Sequence, residues 1–189
     1  GITTQTEVDG GLVEVKNGRL TGILIDRAMD IVDAVKPDVS DDDIRQALKA
    51  AQEICFSYGL TTVNDAGLDR RIIEMIEEMH ASGDLDMRIY AMVSNTPENL
   101  DHYLSRGIIK TEKLNVRSVK VYGDGALGSR GAALKQPYTD DPENHGLFLT
   151  PVDEIQSLAK RIAESHYQMN THAIGDSTNI VVLEAYSEF

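Results

Sequence analysis

Val116-Arg117-Ser118-Val119-Lys120-Val121-Tyr122, residues 116–122, decides the fold. The run is rich in β-branched residues, and side chains alternate along a strand, so Val119 and Val121 share one face while Ser118, Lys120 and Tyr122 share the other. Residues 168–172 repeat the arrangement, with Gln168, Asn170 and His172 opposite Met169, Thr171 and Ala173. A strand in an open doubly wound sheet is buried on both faces and reads as a continuous apolar run. A barrel strand turns an apolar face to the outer helices and gathers its polar groups inside, near its carboxyl end. Both stretches fit the barrel.

Outward from these strands the chain alternates. A strand at Thr61–Asp65, a helix at Leu68–Ala81, a strand at Met87–Ser94 and a helix opening near Pro97 come before residue 116. A long glycine-rich loop, a helix at Pro151–Tyr167 and a last helix from about Ser177 complete the pattern. Short connections between strands and helices imply parallel pairing and an α/β class. Ser40, with Asp43 as its capping partner, opens an earlier helix whose stripe of Ile44, Leu48, Ala51, Cys55 and Tyr58 is spaced to face a core. Before it, Asn17-Gly18 between β-prone runs signals a tight hairpin, and a helical pattern at Arg27–Val35 ends at Lys36-Pro37. The expected organisation is a β-hairpin segment over 1–26 followed by a partial TIM (β/α) barrel with parallel strands over 27–189.

The formal net charge of -13 repels phosphate backbones and anionic headgroups, which argues against nucleic acid and membrane partners. No stretch is apolar and long enough to span a bilayer, and no signal peptide opens the chain. The single cysteine, Cys55, excludes an internal disulfide and a cysteine cluster for zinc, and suits a reducing cytoplasm. On its helix stripe it reads as a small core residue. The start at Gly1 without methionine and the end at Phe189 on an apolar helix face read as the ends of an excised segment.

Lys120 is the most informative residue. A lysine inside a barrel must be paired or neutralised to offset its desolvation. One reading is an ion pair with a carboxylate such as Asp124. The other is a neutral amine able to take up carbon dioxide and become a carbamate, an anionic ligand able to bridge two metals. His172 ends its strand at the rim where a barrel keeps reactive groups, as a metal ligand or as a hydrogen-bonded structural residue. His80, His102, His145 and His166 lack the spacing of a zinc helix and read as solvated or structural. Gly123-Asp124-Gly125-Ala126-Leu127-Gly128 matches the G-x-G-x-x-G dinucleotide fingerprint, but Ser129-Arg130-Gly131 and the following prolines prevent the helix that the fingerprint must open, which rejects nicotinamide binding. The loop reads as a mobile segment facing substrate, or as a plain linker. Asp176 reads as a cap for the last helix.

The run Val119-Lys120-Val121-Tyr122-Gly123-Asp124-Gly125-Ala126-Leu127-Gly128-Ser129-Arg130-Gly131-Ala132, then Pro137-Tyr138 and Thr171-His172-Ala173-Ile174-Gly175-Asp176, resembles the family-3 branch of the amidohydrolase superfamily. Gly59-Leu60-Thr61-Thr62-Val63-Asn64-Asp65-Ala66-Gly67 and Thr21-Gly22-Ile23-Leu24-Ile25-Asp26 are similar to its upstream landmarks. The resemblance implies a TIM-barrel hydrolase with one or two divalent metals, usually zinc, that activate water for attack on a non-peptide carbon–nitrogen bond of a small molecule. It implies that Lys120, potentially carboxylated, and His172 are metal ligands, and that the loop from Asp124 through Gly125 and Ser129 to Arg130 faces substrate. The family's His-x-His pair, its sixth-strand histidine and its eighth-strand aspartate have no counterpart here, so the segment alone is expected to be inactive.

The competing reading is a non-catalytic scaffold or small-ligand binding module. In either case a partial barrel has open edges. The free edge of Gln168–His172 is expected to be covered, by the hairpin around Asn17-Gly18 or by a second copy in a homo-oligomer.

Overall fold

The computed structural model describes residues 1–188, and Phe189 with its expected helix face lies outside the described residues. Packing divides the chain into two compact units. One comprises Gly1–Pro37, Tyr122–Lys160 and the chain from Thr171 onward; the other comprises Asp38–Val121 and Arg161–Asn170.

In the first unit, β1 (Gly11–Lys16) and β2 (Arg19–Asp26) form the expected antiparallel hairpin. Asn17 and Gly18 both take positive φ, 53° and 71°, as a two-residue turn matched to strand twist requires. The helix expected over Arg27–Val35 shrinks to a 3-10 turn at Arg27–Met29 and a single turn, α1 (Asp30–Asp33). Among the described residues the hairpin is a sheet of its own and does not pair with residues 168–172, one of the two coverings expected for that edge.

The second unit runs α2 (Asp41–Ser57), β3 (Thr62–Leu68), α3 (Arg70–Ser82), β4 (Arg88–Ser94), α4 (Pro97–Arg106), β5 (Ile109–Lys110) and most of β6 (Leu114–Tyr122). Along the chain, α5 (Val152–Glu164), β7 (Gln168–His172) and α6 (Asp176–Ser187) follow. β3, β4 and β6 pair in parallel in that order, as the alternation with helices implies, and β7 also pairs β6. The two-residue β5, antiparallel to β6, carries no readable pattern in the sequence.

Register explains the burial of β6. The pairing passes from Ala91 opposite Val116 to Met92 opposite Ser118, which leaves Arg117 as the extra residue of a bulge. Leu114 and Val116 before it, and Val119 and Val121 after it, are all buried. The bulge resets the alternation so that these four stay apolar partners while Lys120, opposite Ser94, keeps the face of Ser118 and Tyr122. On β7, Asn170 brings Nδ2 to 3.4 Å from Met92 Sδ and Gln168 lies 3.5 Å from the Tyr90 hydroxyl, each reaching from β7 over β6 to β4.

α3 buries Ile73, Met75, Ile76 and Met79 and ends on Gly83 in a left-handed cap. α2 starts as expected, with Ser40 Oγ accepting from Asp43 N–H at 3.2 Å, but none of its residues is buried. Its apolar stripe does not close onto a core: Leu48, Ala51 and Cys55 line a cavity of about 110 Å³ against β3, and Tyr58 is 80% exposed. The reason is the place of β3, which among the described residues pairs only with β4 and leaves α2 a partly covered strand to pack on. Among the described residues, no helix is long and apolar enough to cross a membrane.

Candidate functional site

β6 delivers Lys120 two residues before the strand ends, on the face opposite Val119 and Val121. Partial burial there pushes its ammonium below the ordinary lysine range, which favours the neutral amine.

His172 is the last residue of β7. Its carbonyl accepts the Gly123 N–H at 2.9 Å, and its ring stands 5.9 Å from the Tyr122 ring, tilted by 41°. Gly123 has to be glycine, because a Cβ would lie 2.6 Å from Thr178 Cγ2 and 3.0 Å from the His172 carbonyl oxygen. The close approach sets the end of β6 directly against the end of β7.

The loop that follows is tied down, not loosely held as expected of a mobile segment. Asp124 is fully buried, and its carboxylate accepts from Ala133 N–H at 3.0 Å, Ile174 N–H at 3.0 Å, Gly175 N–H at 2.7 Å and Thr178 Oγ1 at 2.8 Å. Four donors satisfy a buried carboxylate, so Asp124 acts as a knot that joins the loop to the turn after β7. Gly125 N–H donates to the Gly131 carbonyl at 3.1 Å, and Tyr138 donates its hydroxyl to the Ala132 carbonyl at 2.9 Å. Ser129 Oγ donates back to the Ala126 carbonyl at 3.1 Å. Arg130, with φ 58°, makes a two-pronged pair with Asp140 at 3.2 and 2.7 Å. Only the tip around Ala126, Leu127, Gly128 and Arg130 is exposed. No helix opens within the glycine pattern, and the next one starts at Val152, which agrees with rejecting the dinucleotide fingerprint. Asp176 does not cap α6: Gly175 holds that position, and the Asp176 carboxylate accepts from Lys135 N–H at 2.9 Å.

Asp26, at the end of β2, is the residue that sequence reasoning passed over. Its carboxylate lies where a Cβ on Gly125 or on Gly131 would stand, and its buried Oδ2 has no hydrogen-bond partner among the described residues. Burial raises its carboxyl above the usual range; the nearby His172 ring works against that rise and the Asp124 charge adds to it. The sequence did carry a signal, an aspartate ending a β-prone run, but nothing in it links that aspartate to two glycines about a hundred residues away.

Two of the other histidines make local contacts. His80 Nε2 is 2.9 Å from the Met87 carbonyl, and burial lowers its pKa. His102 stacks edge-on against Tyr103 at 4.8 Å. Among the described residues, no group of three or more His, Cys, Asp or Glu side chains is placed to hold a metal ion. A catalytic zinc site takes about three protein ligands, so the residues present do not complete one.

The chain is an α/β protein in which a glycine-rich loop runs from the end of β6 and packs against the end of β7. A family model described as "Amidohydrolase family" matches residues 1–188. The chain belongs to this amidohydrolase family. It is 30% identical over 202 residues to "Protein LONG AFTER FAR-RED 3" of Arabidopsis thaliana, covering 98% of this chain and 34% of that protein. It is 32% identical over 192 residues to "Putative amidohydrolase YtcJ" of Bacillus subtilis (strain 168), covering 98% and 36%. Crystal structures of uncharacterized metal-dependent hydrolases from Pyrococcus furiosus and Pyrococcus horikoshii OT3 superpose with TM-scores of 0.75 and 0.76 at 30% and 26% identity. Each superposition covers 85% of this chain and 34% or 33% of the other. The chain thus spans about a third of the length of the relatives it matches.

Proposed function

We propose that this chain supplies part of the active centre of a metal-dependent amidohydrolase that cleaves a non-peptide carbon–nitrogen bond in a small molecule. The observation that carries the proposal is His172, the last residue of β7, seated against the start of the Gly123 loop and within the field of Asp26. Lys120, on the face of β6 opposite Val119 and Val121 and with its pKa lowered by partial burial, is the second ligand of this reading and the candidate for carboxylation. Two ligands leave a zinc ion short of a catalytic set, so the remaining ligands come from parts of the protein outside this chain, and the isolated segment is inactive. With those further ligands in place, a divalent ion held by His172 and Lys120 would supply a more acidic water and a Lewis acid for a carbonyl. The chain's own residues do the rest: Gly123 fixes the position of His172, Asp124 ties the loop to the turn after it, and the loop tip faces incoming substrate.

A partial TIM barrel is the architecture we assign. Support comes from the contacts of Gln168 with Tyr90 and of Asn170 with Met92, because side chains from alternate strands meet in layers inside a barrel. The single cysteine suits a reducing compartment, and we place the protein in the cytoplasm. The alternative reading is a ligand-binding scaffold without catalysis.

The test uses the full-length protein. His172→Ala is expected to lower zinc content and amide hydrolysis together, and Lys120→Ala to do the same while abolishing a carbamate signal after labelling with carbon-13 bicarbonate. Wild-type zinc content and turnover in His172→Ala would remove the metal reading and leave the scaffold.

A further inference from the structure

Asp26 combines three features that stability alone does not explain. It sits at φ 53° and ψ -129°, a region that side chains disfavour and glycine tolerates. Its Oδ2 is buried and lacks a hydrogen-bond partner among the described residues. Its carboxylate rests on the bare Cα faces of Gly125 and Gly131, which are themselves joined by the hydrogen bond from Gly125 N–H to the Gly131 carbonyl. Neither glycine has positive φ, so backbone freedom is not why glycine stands there. For Gly125 the three nearest obstacles to a Cβ all belong to Asp26, including Cγ and Oδ1 at 2.9 Å. The carboxylate occupies the space.

We propose that Asp26 is a positioning residue for the Gly125–Gly131 loop: its carboxylate, docked on the two glycine Cα atoms, holds the loop in the shape that begins beside His172, at the expense of local stability. The inference rests on the reading above that this loop borders the His172 centre. Short contacts from glycine Cα–H groups to a carboxylate oxygen are weak individually but directional, and two of them oppose rotation of the loop. Residues that carry strain and an unsatisfied buried group cluster where function requires them, and replacing them commonly raises stability while impairing function. The chain reaches this arrangement from β2, about a hundred residues before the loop, so the hairpin serves the site and is not a mere appendage.

The experiment is a double-mutant cycle in the full-length protein with Asp26→Gly and Gly125→Ala, read by thermal melting and by hydrogen exchange of the Gly125 and Gly131 amides. Asp26→Gly fits the backbone and removes the lone buried oxygen, so its melting temperature is expected to stay level or rise, while exchange of the loop amides speeds up at least about 10-fold. Gly125→Ala alone is expected to lower the melting temperature by roughly 3 °C or more through overpacking, and by less than about 1 °C when Asp26→Gly has vacated the space. Asp26→Asn, which keeps an oxygen over both glycines, is expected to retain most of the loop protection. Three results overturn the proposal: a fall in melting temperature with Asp26→Gly, unchanged exchange in that variant, or equal damage from Gly125→Ala in both backgrounds. Zinc content of His172→Ala tests the metal reading separately, because its failure leaves these loop measurements as they are.

Discussion

α2 and the loop from Gly123 to Leu134 reverse the usual relation between regularity and burial. α2 is a capped seventeen-residue helix with an apolar stripe, yet none of its residues is buried. The loop has no helix or strand, yet Gly123, Asp124, Gly125, Ala132 and Ala133 are all buried. The difference lies in what each segment meets. A helix is specified by its own hydrogen bonds and caps, and buries a face only when a partner surface is complete. The loop combines backbone hydrogen bonds within itself with long-range ones to its buried Asp124 carboxylate, which is the hub. Local order is legible in a sequence; the surface that an element finds is not.

If the loop is the better anchored of the two, Asp124 is the most damaging single position. Asp124→Ala is expected to leave three backbone N–H groups and the Thr178 hydroxyl without their acceptor, at a cost of about 3–5 kcal/mol. Chemical denaturation of the full-length protein measures it. A loss below about 1 kcal/mol would mean that the knot is dispensable and that the comparison with α2 is empty.

The helices themselves give the next contrast. Ile76 on α3 is 1% exposed, so Ile76→Ala is expected to cost about 3 kcal/mol through lost burial and a cavity. Leu48 on α2 is half-buried beside a cavity that already exists, so Leu48→Ala is expected to cost about 1 kcal/mol or less. Equal losses at the two positions would show that α2 is packed as tightly as α3 in solution, with a second copy or another part of the protein covering it. Sedimentation at two concentrations separates those cases: a shift toward dimer would point to a second copy over α2.

How far the sequence could be read follows the same line. The hairpin, the four strands of the alternating pattern and the capped helices were legible because each has a local cause: Asn17-Gly18 for the turn, alternation for the strands, Ser40 for the start of α2. Lys120 and His172 were legible as strand-end residues. The bulge at Arg117 was not, because it is a property of pairing with β4 and only the register reveals it. The resemblance places Asp124 in a loop facing substrate, but its burial depends on four donors, three of them about fifty residues further along the chain. Asp26 was missed because its meaning depends on two glycines distant in the chain. Asp176 was read as a cap from adjacency alone, while its real partner, Lys135, comes from another loop.

The smallest expected effect concerns the cavity under α2, which Asp65 lines together with Leu48, Cys55, Val63, Ile76 and Met87. Desolvation in that apolar setting raises the Asp65 carboxyl above its ordinary range. For an acid whose pKa is higher in the folded than in the unfolded state, the folded protein holds the extra proton between the two values. Stability therefore falls as pH rises through that window and stays lower above it. Asp65→Asn removes the ionisation, so it is expected to be relatively more stable than wild type at pH 7 than at pH 3.5, by under about 1 kcal/mol once solvent screening is allowed for. Paired urea titrations at the two pH values measure the difference between variants, which cancels the contributions of all other carboxylates. If α2 were closed tightly over Asp65, the desolvation and hence the pH dependence would be several times larger. If the helix stood clear of β3, the difference would vanish. The size of this one small shift thus reports how completely the helix covers the strand that the rest of the sheet leaves half open.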